Sequence, residues 1–189
     1  YGASKLASDK IFVAANNMSA GQSSFSVVRY GNVIGSRGSV VPFFKKLIAN
    51  GATHLPITDP RMTRFWITIE QGVEFVLSSL EMMQGGEVFV PKIPSMKVSD
   101  LALVMAPKLG QETVGIRPGE KLHEIMITTD DARLTLELAD RFLIQPAFNI
   151  WNPDFYLSAG AKPVPDGFHY SSDTNSEWLS IDEMSALLN

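Results

Sequence analysis

The sequence predicts an α/β fold, the end of a parallel sheet continued by a small mixed α/β region. Three observations predict it. The first fifty of the 189 residues alternate helix, strand, Gly-rich loop and helix. That loop follows the C-terminal end of the strand, where α/β sheets bind ligands. Two capping-box patterns, Thr68-Ile69-Glu70-Gln71 and Ser180-Ile181-Asp182-Glu183, each open an apolar helical stretch. The length suits one domain with a sizeable core, and no repeat, low-complexity tract or linker divides it.

Taken in order, Leu6, Ile11, Phe12, Ala15 and Met18 recur near helical spacing, so residues 2–18 read as a helix stopping before Gly21. Residues 25–30 are β-branched and aromatic and read as a buried strand. Gly31, Gly35 and Gly38 mark the loop. Ser39 is placed to cap a helix over 40–50, with Pro42 tolerated in its first turn and Gly51 closing it. Short strands are expected over 55–58 and 64–67, then a helix over 69–83 ended by Gly85-Gly86, then a strand over 87–91. Ser99 or Asp100 is placed to cap a helix running to Leu109. A strand over 113–116 leads into Arg117-Pro118-Gly119-Glu120, expected to open a helix through Met126. Farther on, the pattern reads as a strand over 142–145, a Pro/Gly-rich loop over 152–166 and a terminal helix after Ser180. Phe43, Phe44, Phe65 and Trp66 are read as core, and Asp130-Asp131 as a solvated pair.

Bulk chemistry excludes several classes. With 16 basic against 20 acidic residues the net charge is −4, which argues against a nucleic-acid partner. Hydrophobic residues at 45% and charged residues at 19% read as a soluble globular protein. No apolar run is long enough to span a bilayer, so no membrane partner is expected, and no signal segment opens the sequence. The absence of Cys removes thiol catalysis and thiolate metal sites and fits a reducing cytoplasm, the expected location. His54, His123 and His169 are far apart without metal-ligand spacing and read as ordinary side chains, so no metal is expected. A start on Tyr1, directly on a helical pattern with no cap before it, is read as a fragment whose N-terminal part is absent.

Tyr1 and Lys5, in Tyr1-Gly2-Ala3-Ser4-Lys5, are four apart, a spacing that puts two residues on one face if the segment is helical. An ammonium beside a phenol favours the phenolate. Lowering a tyrosine from ~10 to ~7 takes about 4 kcal/mol, which a Lys in a partly desolvated pocket plus a cationic cofactor ring could supply. Such a pair could exchange a proton with a substrate hydroxyl while a hydride moves. Alone, Tyr-x-x-x-Lys is common by chance, and a solvated helix face is its ordinary meaning.

The dyad, its helix, and the strand running into Gly31-Asn32-Val33-Ile34-Gly35 together resemble the second half of an extended short-chain dehydrogenase/reductase. The resemblance narrows to the inverting UDP-N-acetylglucosamine 4,6-dehydratases, which open pseudaminic acid biosynthesis. It is carried by Arg29 through Phe44, by Pro56-Ile57-Thr58-Asp59 and by Met62-Thr63-Arg64-Phe65-Trp66-Ile67-Thr68. Val90-Pro91-Lys92-Ile93-Pro94-Ser95-Met96 and Ile116-Arg117-Pro118-Gly119-Glu120-Lys121-Leu122-His123-Glu124 extend it. The blocks keep their order and spacing across nearly all of the chain. The resemblance implies the C-terminal portion of a Rossmann-like fold. Residues 1–50 would complete the dinucleotide-binding domain with the dyad, and residues 51–189 would form mainly the nucleotide-sugar-binding region of the same single unit. The family's N-terminal half, with its Gly-rich dinucleotide loop and an Asp-Lys pair, has no counterpart here.

The resemblance implies NADP as cofactor, a UDP-sugar as substrate and a homo-oligomer. The implied reaction oxidises C4 of the hexose, removes the C5 proton and the C6 hydroxyl as water, returns the hydride to C6 and reprotonates C5 on the opposite face. Tyr1 would manage the 4-hydroxyl proton. Lys5 would keep that Tyr ionisable and bond the nicotinamide ribose, and Val33 would face the nicotinamide through its main chain. A diphosphate wants planar bidentate donors, which Arg64 and Arg117 offer at element boundaries. By resemblance Arg117 meets the phosphates, Glu120 accepts from the ribose hydroxyls, Asn32 bonds the sugar or phosphate, and Thr58 and the backbone at Val41 meet the uridine. Two competing readings remain: a UDP-sugar 4-epimerase or reductase using the same dyad, and a non-catalytic nucleotide-sugar-binding protein on this fold.

Overall fold

The computed structural model describes residues 2–19, 21–147 and 152–188. In chain order the elements begin α1 (Gly2–Met18), β1 (Val27–Val28), β2 (Asn32–Val33), α2 (Val40–Ala49), β3 (His54–Ile57), β4 (Thr63–Ile67) and α3 (Ile69–Met82). They continue β5 (Val88–Pro91), β6 (Ser95–Lys97), α4 (Val98–Met105), β7 (Gly110–Thr113), β8 (Ile125–Ile127), a 3₁₀ turn (Ala132–Leu134), β9 (Thr135–Glu137) and β10 (Arg141–Ile144). The last are α5 (Asp154–Ser158), β11 (Lys162–Pro163), β12 (Tyr170–Ser171) and α6 (Ile181–Leu188). The α/β alternation expected of the first fifty residues is present, and the described residues form two compact units, each built from three stretches of chain. One takes the stretches 1–30, 73–92 and 126–169, and the other 31–72, 93–125 and 170–189.

The first unit is a five-stranded sheet in the order β1-β5-β10-β9-β11. β1 runs parallel to β5, with Val27 opposite Val88; the remaining pairs are antiparallel. The expected strand over 25–30 is thus cut to two half-buried residues. Glu87 sets the register at its root. This fully buried carboxylate accepts from the N–H groups of Gln84 (2.7 Å) and Gly85 (2.8 Å), the Ser26 hydroxyl (2.5 Å) and the Tyr156 hydroxyl (2.9 Å). A buried carboxylate is tolerated only with such donors. Burial, and then the Glu87 charge, push the Tyr156 phenol well above its ordinary value. Phe75, Phe89, Leu136, Leu143 and Tyr156 close the core around it. Buried Arg141 ties β10 to α3 by donating to the Ser79 (3.0 Å) and Ser78 (2.8 Å) hydroxyls.

The second unit is organised on β4. β2 lies parallel to it, Asn32 opposite Trp66, and β6 antiparallel, Phe65 opposite Ser95. β3 and β7 pair in parallel beside them. Val41, Trp66, Met96, Leu101 and Met184 form one core cluster, and Phe44, Leu55, Ile57, Ala102 and Ala106 another. Both capping boxes close reciprocally. The Thr68 N–H donates to Gln71 Oε1 (3.0 Å) and the Gln71 N–H to Thr68 Oγ1 (3.1 Å). The Ser180 N–H donates to Glu183 Oε2 (2.8 Å) and the Glu183 N–H to Ser180 Oγ (3.2 Å).

Several expectations are corrected. Ser39 occupies the cap position of α2, but its hydroxyl makes no capping bond. α4 begins at Val98, ahead of Ser99 and Asp100, and ends at Met105 instead of Leu109, because Pro107 disfavours helix in the residue before it. β7 lies three residues earlier than the strand expected over 113–116. No helix follows Arg117. The Glu120 N–H bonds the Arg117 carbonyl (3.0 Å) in a tight turn whose Gly119 has φ +80°, a left-handed conformation that cannot propagate a helix, and β8 occupies 125–127. The expected loop over 152–166 contains α5 and β11; the Asn152 side chain accepts from the Asp154 N–H (2.9 Å) and starts the helix. Phe44, Phe65 and Trp66 are core as expected, whereas Phe43 is 44% exposed. Asp131 is not simply solvated. It accepts from the Thr128 hydroxyl (3.0 Å) and lies 3.7 Å from Arg29.

Candidate functional site

Seven of the nine residues singled out in the sequence fall in the second unit: Asn32, Val33, Val41, Thr58, Arg64, Arg117 and Glu120. Lys5 lies in the first unit, exposed on α1. Tyr1 lies outside the described residues.

β2 places Asn32 and Val33 where the chain leaves the sheet. Gly31 makes this possible. A Cβ there would sit 2.5 Å from Phe65 Cβ and 2.7 Å from the Phe65 carbonyl oxygen, so only glycine lets β2 approach β4 this closely. With its amide nitrogen turned toward Glu124, Asn32 donates to both Glu124 carboxylate oxygens at 3.1 Å. Glu124 also accepts from the Phe65 N–H (3.3 Å). Along β4 the Trp66 N–H points to the Pro94 carbonyl (2.9 Å), so the Phe65 N–H points the opposite way, where β2 has not yet begun. The carboxylate satisfies it.

Arg64 works from the same strand. Its guanidinium donates to the carbonyls of Thr63 (2.6 Å), Leu122 (3.0 Å) and Lys121 (2.8 Å). Burial lowers its pKa from the ordinary arginine value, opposed by the charges of Glu124 and Glu120. These bonds hold the loop that carries Arg117 and Glu120. Thr63 adds a second hold, its hydroxyl lying 2.8 Å from His123 Nδ1 and 2.7 Å from Ser172 Oγ. At the head of the loop, Glu120 Oε2 accepts from the Arg117 N–H (3.3 Å), and the Arg117 side chain is exposed. Val41 is buried in the second residue of α2, where its N–H is among the first-turn amides that no helical carbonyl reaches. Thr58 follows β3. The Arg61 side chain and N–H hydrogen-bond the adjacent Asp59 and hold its carboxyl down to about 2.

The arrangement offers an exposed guanidinium, a carboxylate beside it in a fixed turn, a carboxamide at a strand end and helix-start amides. Such groups suit an anionic, hydroxyl-rich ligand. Sequence reasoning missed Glu124, which sits 92 positions from Asn32 and has no local pattern to mark it. Among the described residues no His/Asp/Glu group is arranged to hold a metal ion, and no helix is long and apolar enough to cross a membrane.

A family model described as polysaccharide biosynthesis protein matches residues 1–146. Over its whole length the chain is 58% identical to a UDP-N-acetylglucosamine 4,6-dehydratase (inverting) from Campylobacter jejuni, and it spans 58% of that protein's length. The X-ray structure of Pen from Bacillus thuringiensis matches with a TM-score of 0.84 at 31% identity, over all of this chain and 57% of that one. The dTDP-glucose 4,6-dehydratase DesIV from Streptomyces venezuelae, solved with NAD and TYD bound, matches with a TM-score of 0.56 at 20% identity, over 65% of this chain and 40% of its own. That likeness speaks for the α/β fold alone. By the family model, which covers most of its length, the chain belongs to the polysaccharide biosynthesis protein family.

Proposed function

We propose that the chain serves an NADP-dependent 4,6-dehydration, with inversion at C5, of UDP-N-acetylglucosamine to a UDP-4-keto-6-deoxyhexose, the first step towards pseudaminic acid. The observation that carries this reading is the 58% identity, over the whole chain, to an inverting dehydratase of that substrate. The chain spans 58% of that relative, so the activity is proposed for the full-length polypeptide.

We assign the nicotinamide end of a dinucleotide to Lys5, exposed on α1, and to the main chain of Val33, at the end of β2. When bound, such a cofactor supplies hydride acceptance from C4 and hydride return to C6. Of the acid/base work, this chain's own groups are assigned only the proton of the 4-hydroxyl, and its other site residues grip the nucleotide sugar; the C5 proton and the C6 hydroxyl are assigned to no residue of this chain. Tyr1, four positions before Lys5 in the sequence, takes the 4-hydroxyl proton, and the Lys5 ammonium keeps the phenolate accessible. Arg117 pairs with the diphosphate, Glu120 accepts from the ribose hydroxyls, and Asn32 bonds the phosphate or sugar. Thr58 and the Val41 N–H meet the uridine. Arg64 supports the same reading by holding the 121–122 backbone, and it is assigned as a further phosphate contact. A cytoplasmic homo-oligomer is part of the proposal. The absence of Cys and the exposed apolar residues Leu6, Ile11 and Phe12 on α1 support it.

The test is Tyr1→Phe in the full-length polypeptide. Turnover of UDP-N-acetylglucosamine is expected to vanish while UDP affinity stays nearly the same. Unchanged turnover would remove Tyr1, and the dyad with it, from the mechanism.

A further inference from the structure

We propose that Glu124 is a positioning residue that sets which way the Asn32 carboxamide faces its ligand. The proposal rests on the reading of Asn32 as a nucleotide-sugar contact. Glu124 is itself held rigidly. Its N–H donates to Ser172 Oγ (2.9 Å), its carbonyl accepts from the Ser172 N–H (2.8 Å), and the fully buried Ser172 hydroxyl also donates to the Thr63 carbonyl (3.2 Å). Its carboxylate is fixed by the Phe65 N–H, and both its oxygens lie 3.1 Å from the end of the Asn32 carboxamide that, facing an acceptor-only group, is assigned as the amide nitrogen.

The geometry decides what Asn32 presents. Two oxygens of one carboxylate subtend a narrow angle at that distance, so a single N–H of the planar NH₂ points between them. The second N–H, about 120° away, stays directed elsewhere, and the carbonyl oxygen takes the remaining corner of the carboxamide. A carboxylate accepts only, so the opposite amide orientation would set oxygen against oxygen and is excluded while Glu124 is ionised. Asn32 therefore offers one N–H, a donor suited to a phosphate or sugar oxygen, at a fixed place. Without the carboxylate the amide can rotate and present its carbonyl oxygen there instead, which repels a phosphate. The pairing is charge-assisted, the stronger class of hydrogen bond.

Two readouts on the full-length polypeptide test this. The first needs no ligand: the Asn32 side-chain NH₂ signals, observed by NMR with selective ¹⁵N labelling of asparagine. One of its two proton signals is expected downfield in the wild type, shifted back in Glu124→Ala and partly restored in Glu124→Gln, whose carbonyl can still accept. Signals indifferent to both substitutions would overturn the proposal. The second is titration with UDP-N-acetylglucosamine without added nicotinamide cofactor. Glu124→Ala is expected to weaken binding about tenfold. Asn32→Ala is expected to weaken it similarly, and the double variant no further, because the two residues act as one unit. Additive losses would overturn the proposal. A wild type that does not bind this sugar nucleotide would instead overturn the functional reading, and the NMR readout would still decide the role of Glu124.

Discussion

Single residues carry the site by close approach and by hydrogen-bond sense. Gly31 is the clearest case, because its missing Cβ is what lets β2 lie against Phe65. Gly31→Ala is expected to cost about 1–3 kcal/mol through forced displacement of packed backbone, read by urea unfolding, and to weaken nucleotide-sugar binding by moving Asn32. Trp66 offers a contrasting case. It is 1% exposed, and its indole N–H has no hydrogen-bond partner among the described residues. An unpaired buried donor is a standing penalty, so Trp66→Phe is expected to cost less than about 1 kcal/mol where Trp66→Ala costs roughly 3–5 kcal/mol. A loss of several kcal/mol in Trp66→Phe would show that the indole N–H is satisfied after all, for instance by a bound water.

At the scale of elements, what the sequence made legible was what local chemistry decides. The extents of α1 and α3, and the cap of α6, follow from apolar spacing and from Thr68-Gln71 and Ser180-Glu183, whose side chains bond their own backbone. Thr68→Ala is expected to cost about 1 kcal/mol in urea unfolding, and no change would mean that packing alone holds the start of α3. Some misreadings are local, as where Pro107 ends α4 early, but in two others distant partners override local pattern. Arg117-Pro118-Gly119-Glu120 resembles a helix start, yet the loop after it is held by Arg64 from β4 and by Thr63 through His123, 57 to 60 positions away. Likewise Asp131 looked solvated because Arg29, its partner, lies a hundred residues earlier. The candidate site was legible as motifs, Asn32 after a strand and Arg117 with Glu120 flanking Pro-Gly, but not as a geometry. Glu124, which joins Asn32 to β4, is visible only in three dimensions.

For the molecule as a whole, buried phenols give a pH-dependent signature. Burial pushes Tyr170 up to about 12, with its hydroxyl bridging the Ile93 N–H (3.0 Å) and carbonyl (3.1 Å), and Tyr156 is raised further. A group whose pKa rises on folding stabilises the native state fully below its unfolded pKa. Both phenols should therefore add stability up to about pH 10, where unfolded tyrosine ionises, and that stability should decline as pH climbs through 12. Tyrosinate absorbance of the native chain is expected to leave these two of the four tyrosines un-ionised at pH 11. Full ionisation there without unfolding would contradict their burial.

Deuterium at C4 of the substrate separates dehydration from epimerisation, because only dehydration returns the C4 hydride to C6. UDP-N-acetylglucosamine carrying deuterium at C4 would be given to the full-length polypeptide with a trace of NADP⁺, and the sugar product examined by mass spectrometry and NMR. The expected product has lost one water, carries the deuterium in its C6 methyl group and is inverted at C5. A product of unchanged mass, epimerised at C4 with the deuterium still there, would contradict dehydration and identify the chain as an epimerase on the same fold.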